Sequence, residues 1–527
     1  MNETIAYDVV REVPRRWTTA TIGGTMNARP RRMVMLVQNG VVGDSRVQKE
    51  AEAAAAAGWE VFLLGRSRGG AEEWELGGAH VRLVPAKRVF EVRRHEVRRS
   101  WLRSPLAYPP GPLKSYRRTQ IRARGADLET ARAARAFAGR GEAGLLPRRA
   151  ALALARRWVD LRVRATDRLS AKRADASGLP ERAAKAFWLR VLGDRAWRRL
   201  DPALWDLELA FGPVVDELAP DLIHANDFQM LGVGARAKLR AAASGRDVKL
   251  VWDVHEFLPG MHPWKRHPWW HPAQSGHERE FAPYADAVVT VSDTMARLVK
   301  ERHGLAETPA VVMNVPDAAE AETPAPGLRE RCGVDAAAPL IVYSGAPLEQ
   351  RGLHIMVEAL PRLPEVHAAF VVSKPHWKYV RGLEERAREL GVDKRVHVLS
   401  YVPHRQVVPF VAEADAGIIP LHHWGNHEIS LITKFFEYSH ARLPIVVSDV
   451  ETMSDLVRRT GQGEVFEAED LDGFTAAVER VLADPARYRA AYEDRVPLAD
   501  WTWPSQARRL TEVYEGLVGA PRHRDAA

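Results

Sequence analysis

Three short stretches in the second half of the chain place cations and a hydrogen-bond acceptor where a phosphorylated ligand can be held. In SGAPLEQRG (344–352) an apolar strand ends in a turn containing Gly345, and Arg351 follows just before a helix. A guanidinium in that place can hold two phosphate oxygens at once, because its planar fork matches an oxyanion. Further on, TKFFEY (433–438) carries Lys434 and Glu437 on what reads as the first turns of a helix, preceded by the amides of Ser430 to Thr433. Helix amino-termini favour phosphate, since their N–H groups lack intrahelical partners and sit at the positive end of the dipole. Lys434 reads either as a second phosphate cation or as an exposed helix lysine.

The first half offers candidates of another kind. In WDVHEF, His255 falls just past an apolar strand, where a loop begins. Its imidazole can donate to a substrate oxygen or a developing oxyanion; the plainer reading is a histidine satisfied at a strand end. GDSRV opens a helix with Asp44 and Arg46, and Asp44 is of a type that caps such a helix. HAND ends another strand with His224 and Asp227, where a structural reading stands beside a functional one. In MHPWKRHPWWHP (261–272), His262, His267 and His271 lie close together. The intervening prolines and the lack of an HExxH spacing argue against zinc. No metal is expected, and the loop reads instead as an aromatic surface on which a carbohydrate or lipid can stack.

These residues need elements to position them. MVMLVQNG from Met33 reads as a buried strand, Arg46 to Ala57 as a helix closed by Gly58, and WEVFLLGR as a second strand. That βαβ grammar demands parallel strands covered by helices. It resumes at DLIHAND (221–227), VKLVWDVHE (248–256) and DAVVTVS (286–292). A second series follows in LIVYSGAP (340–347), AAFVVS (368–373), RVHVLSYV (395–402), AGIIPL (416–421) and PIVVSD (444–449). Pro316 to Pro326, rich in Pro, Ala and acid, reads as a linker between the two series. The expectation is an α/β chain of two Rossmann-like, doubly wound domains facing a cleft, since ligands of such sheets sit beyond the carboxyl ends of the strands. Its parts would be a disordered leader (1–31), an N-terminal domain (32–316), a linker (317–330), a C-terminal domain (331–499) and a terminal helix (500–520). Trp503, Leu510, Val513, Tyr514 and Leu517 share one face of that helix, which is expected to pack across both domains.

Bulk properties agree with this division. At 527 residues the chain is long for one core, and 46% hydrophobic content suits globular domains. The single cysteine, Cys332, forms no internal disulfide and no metal cluster. No apolar run approaches the roughly 20 residues of a membrane span, and Met1 to Arg32 lacks the apolar centre of a secretory signal, so a cytoplasmic protein is expected.

Four stretches together resemble a known family: GDSRVQKEAEAAAAAGWEVFLLG (43–65), DLIHAND with WDVHE, SGAPLEQRGLHIMVEAL (344–360) and ISLITKFFEYSHARLPIVVSD (429–449). In order and spacing they are similar to the retaining glycosyltransferases of the GT-B fold with a glycosyltransferase-4-like amino-terminal domain. The resemblance implies transfer of a hexose-type sugar from a nucleotide-sugar donor (UDP- or GDP-) to a carbohydrate or lipid-linked acceptor, as in surface polysaccharide or glycolipid synthesis. The nucleotide-sugar is a co-substrate, and no further cofactor is implied. It also implies Arg351 on the diphosphate, Glu437 on the ribose hydroxyls, Gly345, Ser430, Thr433 and Lys434 around them, and His255 nearest the transferred sugar. The first-domain residues Asn39, Gly40, Asp44, Arg46 and Asp227 would then line the acceptor side. The family's better-known pattern has two glutamates eight apart; counting back from Glu437 reaches Ile429, and Glu428 stands one residue off the donor-sugar position. A GT-B scaffold that only binds partners is the alternative, and Arg351, Lys434 and Glu437 together argue for an enzyme.

Charge is uneven. Residues 87–200 hold 30 Lys/Arg against 10 Asp/Glu, within a chain of net charge +8. This basic helical insert, about 88–200, sets Leu154, Trp158 and Leu161 on one helical face and pairs Trp188 with Val191. Residues 147–200 can lie on an anionic membrane, placing the protein peripherally at the inner face, or form a solvated hairpin packed on its own domain. Nucleic acid is not expected, because no base-stacking or groove-reading module accompanies the charge.

Overall fold

Unbroken aliphatic runs without polar alternation are what strands covered on both faces require, and they build two parallel sheets. The computed structural model describes residues 30–67, 69–90, 104–137, 141–175, 177–261, 268–316 and 327–519. Nearly all of the expected leader, residues 317–326 of the expected linker, and His262 and His267 lie outside the described residues. The first sheet comprises β1 (Arg32–Leu36), β2 (Glu60–Ser67), β3 (Glu72–Leu76), β4 (Ala79–Pro85), β5 (Leu222–Asn226), β6 (Lys249–Val254), β7 (Ala287–Thr290) and β8 (Ala310–Val311). Its order is β3-β4-β2-β1-β5-β6-β7-β8. Every pairing is parallel except β3 with β4. That hairpin turns on Gly77 and Gly78, both at positive φ (53° and 88°), which a two-residue turn between right-twisted strands needs.

The second sheet is wholly parallel, in the order β11-β10-β9-β12-β13-β14. These strands are β9 (Leu340–Gly345), β10 (His367–Val372), β11 (Val396–Ser400), β12 (Ala416–Ile419), β13 (Ile445–Ser448) and β14 (Gly463–Phe466). Both of its faces are covered. Phe435, Phe436 and Trp501 pack on one side, and Phe370, Phe474 and Tyr343 on the other.

Of the described residues, one compact unit holds both sheets, and a second runs from Ala86 to Ala210 and from Leu258 to Pro283. The second unit is helical and takes in more chain than the expected insert. Its longest helices, Leu113–Phe137 and Leu146–Asp175, meet along Tyr108, Ile121, Val159 and Val163. Trp197 is buried beside His277, its indole donates to Glu280 (2.7 Å), and Arg198 grips the same carboxylate at 2.5 and 2.8 Å. Trp188 and Val191 stand three apart on the helix Leu179–Leu192, with Trp188 half-buried under Arg199, 5.1 Å from its ring, and Val191 exposed. Among the described residues no helix is long and apolar enough to cross a membrane.

Within the unit that holds both sheets, the carboxyl-terminal segment ties the two sheet domains together. Trp501 sits in the second domain's core, with its ring 5.8 and 5.3 Å from Phe435 and Phe436. Two residues later the helix Trp503–Val518 begins, and Trp503, Leu510 and Tyr514 pack into the first domain's core. Polar contacts fix the crossing, with Gln506 accepting from Met313 N (3.0 Å) and Trp503 N donating to Pro316 O (3.0 Å). Replacing Trp501 by Ala should therefore cost about 3–5 kcal/mol in the urea transition that reports the second domain. A loss under about 1 kcal/mol would show that the ring is not part of that core.

Candidate functional site

At the carboxyl ends of β5 and β6, charged groups are gathered inside the first domain. The alternation of a strand puts Asp253 and His255 on the same face. Arg46 reaches them from the first turn of the helix Ser45–Ala56, which Asp44 caps by accepting from Val47 N. The Arg46 guanidinium donates to Asp253 Oδ2 through Nη2 (2.8 Å) and Nε (3.1 Å), and to Val312 O through Nη1 (2.7 Å). Its Nε also lies 2.9 Å from Glu50 Oε1, one helical turn on. His255 Nε2 is 3.0 Å from Asp253 Oδ2 and its Nδ1 is 3.6 Å from Asp227 Oδ1. Behind them His224, fully buried, approaches Glu50 and Asp253 at 3.5 and 3.6 Å, and the Tyr514 hydroxyl is 2.8 Å from its Nδ1.

The electrostatics follow from burial and from which charge faces which. Burial alone would lift the Asp253 carboxyl, but Arg46 and His255 hold it well below the usual range. Burial would likewise strip protons from the two cations. Asp253 and Glu50 keep Arg46 charged, and Asp253 and Asp227 push His255 up to about 10. Burial pushes the Glu50 carboxyl well up; Arg46 opposes that shift and the neighbouring Asp253 adds to it. With His255 cationic, its Nε2–H donates to Asp253, and the 3.2 Å approach of Arg46 Nε to that nitrogen is a contact of two cations bridged by the carboxylate. The Nδ1–H, at 3.6 Å from Asp227, is too far for a full hydrogen bond. Asp227 itself stands at φ +62°, a strained conformation for a non-glycine residue. Ligand atoms of Glu50, Asp253 and His255 lie within 4.8 Å of one another, a spacing a metal accepts. Arg46 already supplies positive charge there, in contact with both carboxylates.

The second domain presents a different balance. Arg351 ends a short turn after β9, and its Nε and Nη1 are buried without a hydrogen-bond partner. Lys434, on the first turn of the helix Thr433–His440, is buried, and no side chain caps that helix. Burial, together with the nearby Arg351 charge, lowers the Lys434 ammonium to about 7, with Glu437 partly offsetting them. Gly345 sits at φ +129°, and a Cβ there would come within 3.2 Å of Lys434 Nζ. Gly352 is equally constrained, for at φ +67° its Cβ would lie 2.0 Å from Pro420 O. Across from Arg351 stands the first domain: the Arg351 charge reaches Glu256, the residue after His255. Ser292 Oγ donates to Ile429 O (2.6 Å), and Asn314 Nδ2 donates to Thr433 Oγ1 (3.0 Å), so the two domains meet at this site.

The structure thus brings Arg351, Lys434, Glu437, Gly345 and Thr433 together and sets His255 and Asp227 in the first domain's half. It departs from expectation at two of the site residues, Arg46 and Glu428. Arg46 is not on an acceptor-lining surface: it is 3% exposed and its donors are spent on Asp253 and Val312, because a charge on the inward face of that helix must be paired. Glu428 braces its own loop, accepting from Glu451 N (2.9 Å) with one oxygen and meeting His423 (2.7 Å) with the other. Lys434 is not the exposed helix lysine of the plainer reading. Asn39 and Asp44 are hydrogen-bonded to each other (2.7 Å) beside Gly40. In the aromatic stretch 261–272, Trp269 is buried, so it is not a free stacking platform. Sequence reasoning passed over Glu50, Asp253, Glu256, Tyr514 and Gly352. Glu50 and Arg46, four apart on the face shared with Val47 and Ala51, were the readable signal of a buried pair.

Two doubly wound sheet domains, with Arg351 and Lys434 on the second and His255 on the first, make up a GT-B arrangement. Residues 148–315 match the model described as Glycosyltransferase Family 4, and residues 338–484 that described as Glycosyl transferases group 1. The chain belongs to the glycosyltransferases of this GT-B group. It is 27% identical to glycogen synthase of Mycobacterium tuberculosis over 316 residues, 56% of this chain and 68% of the relative. It is 27% identical over 247 residues to the GDP-mannose-dependent alpha-(1-6)-phosphatidylinositol monomannoside mannosyltransferase of Mycolicibacterium smegmatis, 44% of this chain and 63% of that one. Its fold is similar to that of sucrose-phosphate synthase from Thermosynechococcus elongatus, with TM-score 0.60 and 15% identity over 93% of this chain and 99% of the other.

If Asp253 holds the two cations, Asp253→Asn should drop the His255 pKa from about 10 to 6.5 or below. It should also destabilise the fold by about 3–5 kcal/mol, since it leaves Arg46 buried without its counter-charge. Histidine ring NMR titrations of the two proteins measure the first effect, and a His255 that still titrates near 10 in the variant would sink the account.

Proposed function

We propose that the enzyme transfers a hexose-type sugar from a nucleoside-diphosphate sugar to a hydroxyl of a carbohydrate or lipid-linked acceptor, with retention of configuration. What supports this most is the pairing of buried Lys434 with half-buried Arg351, which feel one another's charge while Arg351 keeps two shielded nitrogens unpartnered. A diphosphate supplies the missing anion. Arg351 holds phosphate oxygens through its free Nε and Nη1, the amides at the start of the helix Thr433–His440 add their dipoles, and Glu437 accepts from the ribose hydroxyls. Arg351 and Lys434 would offset part of the charge of the leaving diphosphate.

His255 acts from the first domain. Its cationic ring, steadied by Asp253, offers Nδ1–H to an oxygen of the transferred sugar and stabilises charge as the glycosidic bond to phosphate breaks. Asp253 is committed to Arg46 and His255, and no carboxylate, Asp227 and Glu256 included, is assigned as a nucleophile. In keeping with the resemblance to retaining GT-B enzymes, the acceptor hydroxyl attacks on the face the diphosphate leaves, and a phosphate oxygen takes its proton.

Thermal-shift measurements with UDP, GDP, ADP and TDP in EDTA test the donor site. One nucleotide at a hundredfold excess over its Kd should stabilise the protein by about 2.7 kcal/mol, and Glu437→Ala should lose that effect. No shift with any nucleotide would instead favour a non-catalytic scaffold.

Protonation gives a second check. Lys434 titrates near 7 in the free protein and is raised toward its ordinary 10.5 beside a diphosphate. Binding above pH 7 then takes up a proton, so nucleotide affinity should be level just below pH 7 and fall by up to about tenfold per pH unit above it. Calorimetry in buffers of different ionisation enthalpy reads the uptake directly, and Lys434→Gln should abolish it. Uptake that persists in the variant would assign the proton elsewhere.

A further inference from the structure

The helix Leu146–Asp175 has one face occupied and one face open. On the occupied face Val159 and Val163 are buried against Tyr108 and Ile121, and Thr166 Oγ1 accepts from Tyr108 N (2.9 Å). Arg162 lies over the Tyr108 ring at 4.1 Å, which closes that side. The open face carries Leu154, Trp158 and Leu161, one turn apart from one another, at 68%, 55% and 43% exposure. Beside this apolar ridge runs a basic one, Arg157, Arg164 and Arg168, each exposed. Spacings of three and four residues keep the ridges adjacent along the helix.

An exposed tryptophan between two exposed leucines is costly in water, and a solvated hairpin gives no reason for it. The charge beside it selects the partner. Residues 87–200 carry 30 Lys/Arg against 10 Asp/Glu, so the partner is anionic, and the ridge requires that it also be apolar just beneath its charged surface. A lipid bilayer with acidic headgroups is built that way: the indole and leucines enter at the headgroup and acyl boundary while arginines reach the phosphates on extended stems. Nucleic acid would match the charge but leave the leucines in water.

We propose that the helix Leu146–Asp175 docks the enzyme on an anionic membrane, with Leu154, Trp158 and Leu161 inserted at the interface and Arg157, Arg164 and Arg168 on lipid phosphates. The proposal is independent of the donor-site reading, since none of these residues belongs to that pocket.

Flotation of the full-length protein tests it, using vesicles of phosphatidylcholine alone and of phosphatidylcholine mixed in equal parts with phosphatidylglycerol. The protein should float with the mixed vesicles only. The variant Leu154→Ser, Trp158→Ser, Leu161→Ser should partition at least about tenfold more weakly, and Arg157→Gln, Arg164→Gln, Arg168→Gln about a hundredfold more weakly at low salt. Both should keep the parent Tm, because the altered side chains are exposed. Absence of flotation with either vesicle, or full flotation by the apolar variant, overturns the proposal. So does displacement of the protein from mixed vesicles by single-stranded RNA with the apolar variant binding that RNA as tightly as the parent, which would make the face a nucleic-acid surface.

Discussion

Much of the first domain hangs on one buried carboxylate. Asp253 is at the end of β6 with no exposure to solvent, and it holds Arg46 from the helix Ser45–Ala56 and His255 from the following loop. Taking three ionised groups out of water is costly, and the cost is recovered only when each finds a counter-charge and its remaining hydrogen bonds. Arg46 meets this condition by also donating to Val312 O, past β8, and His224 links the cluster to Tyr514 on the terminal helix. The same few contacts therefore connect the first helix, two strand ends, the last strand of the sheet and the carboxyl terminus. Asp253 and Arg46 position His255, which alone of these three keeps a partly exposed side chain, 17%.

The second domain solves the opposite problem. Its cations are placed at the ends of β9 and at the start of a helix, but they are not closed into pairs. Lys434 yields by losing affinity for its proton, as a desolvated ammonium beside a guanidinium must. Glycine at 345 and 352 lets backbone and side chains crowd to this degree, since a Cβ at either position would meet Lys434 Nζ or Pro420 O. One half of the site has its charges paired, and the other leaves two Arg351 nitrogens unpaired and the Lys434 ammonium weakened.

Strand positions were legible because parallel strands in covered sheets are plain aliphatic runs, as in Met33 to Val37 or Leu340 to Tyr343. The hairpin of β3 and β4 was passed over although Gly77-Gly78 marks it, because EEWEL is polar and lies at a sheet edge. β14 is also an edge strand, four residues long and only partly buried, so it lacks the aliphatic signature. Types of site residue were readable; their burial was not. Nothing local distinguishes Lys434 inside a pocket from a lysine on a surface helix, or Arg46 in a buried pair from Arg46 in an open loop. Those differences arise from tertiary packing, in which Asn314 meets Thr433 across 119 positions and Arg46 meets Val312 across 266.

The strained residue explains how the histidine keeps a donor to spend. Asp227 holds φ +62° at the junction of β5 and the buried helix Asp227–Ala243, a conformation that costs on the order of 1–3 kcal/mol and persists only where the surroundings over-determine it. Here β5 is paired on both sides and Asn226 donates to Leu36 O, so the junction cannot relax. Its carboxylate is held near enough to favour the imidazolium but, at 3.6 Å, not near enough to consume the Nδ1 proton. Asp253 anchors the opposite nitrogen at 3.0 Å. The ring is thus fixed by one carboxylate and kept charged by two, and its Nδ1–H is left without a full hydrogen bond to Asp227.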